Sequence, residues 1–391
     1  MSEASMEKWD VVIAGAGPAG AHCARFLRMN SDLSVLLLDR TKRLGCPKKS
    51  TAGVPAQTME RFGLPSKLAQ QDIRRLIFES PDETAEIPIE AKVLDFSKLK
   101  KFLLEDAKAG GAKVMIGAEA TEPILDGKSI VGVRVSRISG DEEFRAKIVI
   151  DATGPGGVLA KSLGLVRPAK KHHWIGMEHE MDRLSLGFND AMCIRFDNRY
   201  APGGYSWIFS TGKDTAKVGN CWSLGQQAGG CSLKSHLEKW IASDHRLRSG
   251  IRLETHGGDA YLDCPHGLSG GGFMTIGDAA RTINPLFGEG IRQAMFSAEL
   301  AGKVVIDSLN SGETGARRLK EYDLLWKRTI WSRSSRICRF IAKRLYSLSN
   351  EQFNSVVRRF KRLPDTFLPS DFQRFLDYDV TLNDLKKFRS L

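Results

Sequence analysis

The 391-residue sequence contains no apolar run of about 18 residues or more, the length a membrane-spanning helix needs, so no membrane span is expected. Met1 to Lys8 is polar and acidic, with no apolar stretch before the first strand, and no secretory signal is expected either. Cysteine is sparse and unpaired in pattern. The seven residues Cys23, Cys46, Cys193, Cys221, Cys231, Cys264 and Cys338 never form C-x-x-C. That spacing argues against a disulfide framework or a thiolate metal cage, and fits free thiols in the reducing cytoplasm. His172-His173 would point to opposite faces of a strand, and nothing at zinc spacing joins them or His179, so no metal is expected.

Acidic residues are in deficit, and the deficit is local. The net charge is +12, and residues 311–391 carry 18 Lys and Arg against 9 Asp and Glu, while residues 1–310 carry 40 against 37. A basic C-terminal region implies a local partner surface. No recognised nucleic-acid-binding motif accompanies it, so nucleic acid is not the expected partner.

Asp10-Val11-Val12-Ile13-Ala14 is a short β-branched run that predicts a buried parallel strand. It leads into Gly15-Ala16-Gly17-Pro18-Ala19-Gly20 and a helical stretch with Ala21, Ala24, Phe26 and Leu27. Ser34-Val35-Leu36-Leu37-Leu38 predicts a second strand, closed by Asp39 nineteen residues past Gly20, with Arg40 beside it. Strand, G-x-G-x-x-G, helix, strand and acid are therefore in register. Gly15 permits the tight turn, Gly17 lets the backbone approach a pyrophosphate, and Gly20 lets the helix pack close to the sheet. The helix N-terminus offers N–H groups and a partial positive charge to phosphates, and Asp39 is placed to accept from ribose hydroxyls. This predicts a dinucleotide site without separating FAD from NAD.

Two distant elements narrow the choice. Gly272 to Ala280 reads as an apolar strand ending in Gly277-Asp278. Asn284-Pro285-Leu286-Phe287-Gly288-Glu289-Gly290-Ile291 follows, opening a long helix through Gln293, Ala294, Ala298 and Leu300. An aspartate at a strand end can hold a polyol, and glycines opening a helix aim N–H groups at an anion such as the N1–C2=O edge of a reduced flavin. Between the two, Ile148-Val149-Ile150-Asp151-Ala152-Thr153-Gly154 reads as a third strand ending in a small turn.

In order and spacing these elements resemble the para-hydroxybenzoate-hydroxylase-type FAD proteins. Within them the chain most resembles the geranylgeranyl reductase family, which saturates isoprenoid chains in archaeal lipids, chlorophyll side chains and menaquinone. Four segments carry that resemblance: Pro47 to Val54, Asp151-Ala152-Thr153-Gly154, Gly204-Tyr205-Ser206-Trp207-Ile208-Phe209, and Gly277-Asp278 with Pro285 and Gly288 to Ile291. The resemblance covers roughly residues 9–310. It implies FAD held by Ala19, Asp39 and the Ser50/Thr51/Gly53 segment, with Ala120 beside the adenine, Asp278 at the ribityl–pyrophosphate end, and Gly290 and Ile291 at the isoalloxazine. Gly154, Pro285 and Gly288 belong to the same expected shell.

The chain also departs from the family. Ser50 stands where many members have cysteine, with Cys46 four residues early. Phe96 falls near the position of a cofactor-contacting arginine. Arg281 and Phe287 replace small residues, and Ser210 replaces a proline. Bulk at Arg281 and Phe287 is expected to narrow the approach to the flavin.

The expected architecture is α/β: a Rossmann-type FAD domain with a parallel sheet, an interleaved mostly-β substrate domain and a C-terminal helical region. The FAD domain is expected over 9–160 and 265–310, with part of 80–120 near the cofactor, the substrate domain over 161–264, and the basic helical region over 311–391. Residues 206–210 and 216–222 read as a hairpin across Gly212-Lys213-Asp214. Tyr205 and Trp207, two apart on a strand, face one side. With Phe209 and Phe287 they are the expected substrate contacts, read either as an aromatic wall for a long apolar chain or as core aromatics. From Tyr322 to Leu345, apolar residues recur at helical spacing among Lys327, Arg328, Arg333, Arg336, Arg339, Lys343 and Arg344. Such a helix can lie on an anionic membrane or cap the FAD domain. Pro364 and Pro369 follow, with one more short helix expected over the last twenty or so residues.

The function the resemblance implies is FAD-dependent saturation of isoprenoid C=C bonds in a lipid or quinone, with Cys46, Ser50 and Tyr205 as candidate acids. No second Rossmann fingerprint exists, so the electrons would come from NADPH or from a donor protein such as ferredoxin. The other classes compatible with the sequence are an FAD monooxygenase of a small substrate and a membrane-docked electron carrier to quinone. A halogenase is disfavoured because Tyr205 and Ser210 break the W-x-W-x-I-P signature.

Overall fold

The computed structural model describes residues 8–48, 50–225, 232–361 and Gln373. Lys49, Cys231, Pro364, Pro369 and the short helix expected near the end of the chain lie outside these residues.

Two eight-stranded sheets organise the described chain. The first contains β1 (Lys8–Ala14), β2 (Val35–Asp39), β6 (Lys113–Ile116), β7 (Glu119–Asp126), β8 (Ser129–Arg137), β9 (Gly140–Asp151), β15 (Ser269–Gly270) and β16 (Phe273–Thr275). β1 lies between β2 and β9, parallel to both, and β6 and β16 extend the parallel run on either side. Val11, Val12, Ile13, Val149 and Ile150 are completely buried because both faces of this sheet are covered. On one face pack α1 (Pro18–Asn30), α3 (Phe96–Ala109) and α6 (Ile291–Asn310), which share an apolar core with α7 (Ala316–Arg328). The short α2 (Thr58–Arg61) adds Met59 to this core, and α4 (Val158–Ser162) covers the other face.

The second sheet runs in the order β14-β10-β13-β12-β11-β4-β5-β3. Its strands are β3 (Gly53–Pro55), β4 (Ala69–Glu79), β5 (Thr84–Leu94), β10 (His173–Asp182), β11 (Ala191–Arg195), β12 (Gly204–Ser210), β13 (Ala216–Ser223) and β14 (Ile251–Tyr261). The expected hairpin is present as β12 and β13, paired from Gly204↔Trp222 to Ser210↔Ala216. Helix α5 (Leu233–Ser243) packs Leu237 and Trp240 on one face of this sheet. The opposite face carries Leu76, Phe78, Met192, Ile194, Tyr205 and Trp207 and is shared with α8 (Ile330–Leu345) and α9 (Asn350–Lys361).

Residues 53–94, expected inside the FAD unit, supply three strands to the second sheet through the parallel pairing of β4 with β11. The alternating exposed and buried residues of β5 are the mark of an antiparallel sheet with one solvated face.

Candidate active site

A cavity of about 470 Å³ lies between the two sheets. At one end it is built by the loop after β1. Gly15 turns with φ +105°, and a Cβ there would stand 2.2 Å from the Ala152 carbonyl oxygen. A Cβ at Gly20 would come within 1.9 Å of the Gly15 oxygen, so α1 can cross this close only with glycine at both positions. Gly20 therefore packs behind the cavity, while Gly15, Gly17 and Ala19 line it. Gly17 caps α1 without any side-chain hydrogen bond, Pro18 opens the helix, and a Cβ at Gly17 would meet nothing within 4 Å. The loop is thus a bare backbone cradle at a helix N-terminus, open where a pyrophosphate would pass.

Asp39 ends β2 and holds the cradle from within. Its Oδ2 accepts from Ala16 N–H at 2.6 Å and its Oδ1 from Thr41 N–H at 2.7 Å. A carboxylate has about four lone-pair sites, so acceptor capacity for a ribose hydroxyl remains. Arg40, Ala120, Thr153 and Gly154 complete this end of the lining. Asp151, fully buried, fastens the middle turn instead: it accepts from Thr153 N–H, Thr153 Oγ1 and Ala160 N–H. Burial pushes its carboxyl above the usual range despite these donors.

Gly277, at φ +60°, brings its loop against α1, where an added Cβ would meet Ala19 Cβ at 2.7 Å. Asp278 follows and lines the cavity. Burial raises its carboxyl to about 6 against the opposing charge of Arg281, and Asp259 and Glu289 add to the rise. Asn284 shapes the next turn by accepting from Leu286 N–H and Phe287 N–H through Oδ1. Gly288, Gly290 and Ile291 line the cavity where α6 begins, and Gly290 caps α6 without a side-chain bond.

The substrate-side wall is aromatic and aliphatic. Tyr205, Trp207, Phe209 and Phe287 all line the cavity, joined by Trp174, Leu76, Ile89, Met192 and Ile194. Tyr205 Oη donates to the Phe287 carbonyl at 2.7 Å, tying the wall to the α6 loop. Burial, with Cys221 and Tyr346 nearby, pushes its phenol well above the usual range. Ser50 and Thr51 line the cavity, Ser50 Oγ accepting from Ala52 N–H, and Gly53 lies against Met192 and Phe209.

Three sequence expectations need correction. Cys46 does not line the cavity; its carbonyl accepts from Lys100 Nζ at 2.8 Å, and the cysteine of the wall is Cys221, whose thiol burial lifts to about 12. Pro285 shapes its turn without reaching the lining. Arg281 does not narrow the approach. Its side chain turns away, with Nη1 donating to the Pro155 carbonyl, Nε 3.0 Å from Asp263 and the guanidinium over the Tyr261 ring. Phe287 does line the cavity.

Lys100, Glu178 and Cys221 were not singled out from the sequence. Lys100 sits one turn beyond Phe96 on α3 and supplies a cation to the wall. A signal was available in that i, i+4 spacing. For Glu178 and Cys221 there was none, because cross-strand register brings them to the cavity. Of the three histidines, His173 pairs with Asp259 and His179 with Thr255, while the His172 imidazole is held below its usual range, chiefly by burial.

Residues 10–234 match the family model described as FAD dependent oxidoreductase. The digeranylgeranylglycerophospholipid reductase of Haloferax volcanii is 37% identical over 377 residues, 92% of this chain and 91% of its own length. Digeranylgeranylglycerophospholipid reductase 1 of Methanopyrus kandleri is 32% identical over 82% of this chain and 86% of its own. Among solved structures, a geranylgeranyl bacteriochlorophyll reductase-like protein of Thermoplasma acidophilum superimposes with a TM-score of 0.87. It is 21% identical, with 98% of this chain and 96% of that one covered, and so shows the fold.

Proposed function

The chain belongs to the FAD-dependent oxidoreductases and, within them, to the digeranylgeranylglycerophospholipid reductases; from that premise we propose that it saturates C=C bonds in the geranylgeranyl chains of a glycerophospholipid. One observation carries the reading. A single cavity joins the open glycine cradle and Asp39 to an aromatic and aliphatic wall suited to a prenyl chain.

The cradle fits FAD. Gly17 leaves open space at an uncapped helix N-terminus, Asp39 keeps acceptor capacity, and a second helix begins at Ile291, where the cap residue Gly290 brings no side chain and Glu289 Oε1 accepts from Arg292 N–H. Bound there, FAD would supply the hydride chemistry. The protein's own residues orient and desolvate. N–H groups of α1 would hold the pyrophosphate, Asp39 and Asp278 the hydroxyls, and the α6 N-terminus the flavin's electron-rich edge. Tyr205, Trp207, Phe209 and Phe287 would hold the alkene and exclude water. Tyr205 keeps its hydroxyl hydrogen on the Phe287 oxygen, and Cys46 is outside the lining. Ser50 is the remaining candidate for passing a proton inward.

The electrons are proposed to come from NADPH or a ferredoxin-type donor protein. No helix among the described residues is long and apolar enough to cross a membrane. A lipid substrate therefore calls for docking, and we assign it to the basic outer face of α8 on the cytoplasmic side of an anionic membrane.

The test is anaerobic incubation of the FAD-loaded protein with dithionite and digeranylgeranylglycerophospholipid, read by mass spectrometry. The reading expects one H2 gained per double bond. Unchanged lipid alongside fully reduced, bound flavin would remove the substrate assignment while leaving the flavoprotein intact.

A further inference from the structure

Glu178 is a buried carboxylate on β10, 4% exposed. One of its oxygens, Oε2, accepts from Thr51 Oγ1 at 2.6 Å and from Trp207 Nε1 at 3.1 Å. Its two donors come from separate segments of the cavity lining: Thr51 lies between Ser50 and Gly53, and Trp207 belongs to the aromatic wall. Lys217, 3% exposed, reinforces the same junction by donating to the carbonyls of Thr51 at 2.9 Å and Leu94 at 3.0 Å. At the outer end of this charged row Lys48 binds Glu180 and Glu254, and His256 reaches Glu180 at 3.2 Å.

A buried charge must have hydrogen-bond partners, and removing one partner of a buried carboxylate costs more than the bond itself contributes. When both partners share one oxygen, displacing either disturbs the other. We propose that Glu178 is a positioning residue that couples the Ser50–Gly53 cofactor segment to the Trp207 wall, fixing the two segments of the lining relative to each other. This inference rests on FAD binding, and is independent of which lipid is reduced.

Two measurements on the full chain test it. The first is fluorine NMR of fluorotryptophan-labelled apoprotein, with the Trp207 resonance assigned by its loss in Trp207→Phe. Thr51→Val is expected to shift that resonance in the native background and to leave it in place in Glu178→Leu, which has no acceptor oxygen. The second is FAD affinity by flavin fluorescence. Thr51→Val is expected to raise the Kd about tenfold in the native protein but less than about twofold when Glu178→Leu is already present, the signature of a shared interaction. A Trp207 resonance indifferent to Thr51→Val, or equal losses of affinity in both backgrounds, would overturn the coupling. If circular dichroism shows that Glu178→Leu does not fold, the Thr51→Val shift in the native apoprotein decides alone.

Discussion

The indole of Trp207 lies across Gly219: a Cβ added at Gly219 would stand 2.3 Å from Trp207 Cζ2 and 2.5 Å from its Cε2. The two residues pair directly across β12 and β13, so the missing side chain at 219 lets the ring reach over the sheet toward Glu178.

Gly219→Ala should therefore push the ring off its seat. The added methyl would also lie 2.6 Å from the Met177 carbonyl oxygen, which the sheet holds in place. Overpacking of this kind costs about 1–3 kcal/mol, read as a lowered Tm. The wall should also handle its substrate less well, with kcat/KM falling more than the loss of folded protein explains. An unchanged Tm would show that the ring is not pinned by this contact.

The glycines of the first loop should separate into two kinds. Gly20→Ala drives a Cβ to within 1.9 Å of the Gly15 oxygen, and about 3 kcal/mol of stability or more should go with it. Gly17→Ala meets no protein atom, so the apoprotein should stay within about 1 kcal/mol of the parent. Its effect should fall on FAD affinity, because the methyl occupies the open side of the cradle. Urea unfolding of the apoproteins and FAD titration together distinguish the two. A Gly17→Ala protein that binds FAD normally would show that the pyrophosphate does not pass there.

What the sequence made legible follows from how local each cause is. The cradle from Gly15 to Gly20 and Asp39 could be read because turn, helix start and strand end each impose a residue type at a fixed offset. Tyr205 and Trp207 could be read as one face because a strand has period two. Glu178 could not, since its role depends on Thr51 approaching β10 from another part of the chain. The membership of residues 53–94 in the second sheet was hidden for the same reason: the β4–β11 pairing joins segments more than a hundred residues apart, and only the alternation in β5 hinted at it. Arg281 misled because residue volume says nothing about direction, and Pro155, Asp263 and Tyr261 draw it out of the cavity.

Asp278 makes a prediction with a definite sign. Its carboxyl titrates at about 6 in the fold, chiefly through burial, against an ordinary 3.8. The folded protein thus keeps this proton to higher pH than the unfolded chain does. The group's contribution is most favourable below the unfolded value and is lost as pH rises through about 6. Asp278→Asn removes the titration. Relative to the parent, the variant apoprotein should gain Tm as pH rises from roughly 4 to just above 6, and keep that gain at higher pH. A constant difference across that range would mean that Asp278 is not held protonated by burial. FAD must be absent, because hydroxyl donors at the site would favour the charged carboxylate and mask the effect.

The last prediction concerns α8, whose two faces do different work. Ser334, Cys338 and Ala342 are buried, and Tyr346 just beyond the helix donates to the Leu286 carbonyl, so the inner side helps to close the apolar end of the cavity. Arg333, Arg336, Phe340, Lys343 and Arg344 are exposed at helical spacing on the outer side, with the Arg344 guanidinium over the Phe340 ring. Ile330, which opens the helix, is exposed as well. Cations around an exposed aromatic suit an anionic headgroup layer, at about 1 kcal/mol per Lys or Arg near the surface. Co-sedimentation with vesicles should therefore show binding to anionic and not to zwitterionic lipid, and the binding should weaken with salt. Replacing Arg333 and Arg336 with Gln should weaken it about fivefold per residue. Phe340→Ala should weaken it at every salt concentration, since that contribution is apolar. Equal binding to both vesicle types would leave the basic face without a membrane role, and acidic proteins would then be tested as its partner.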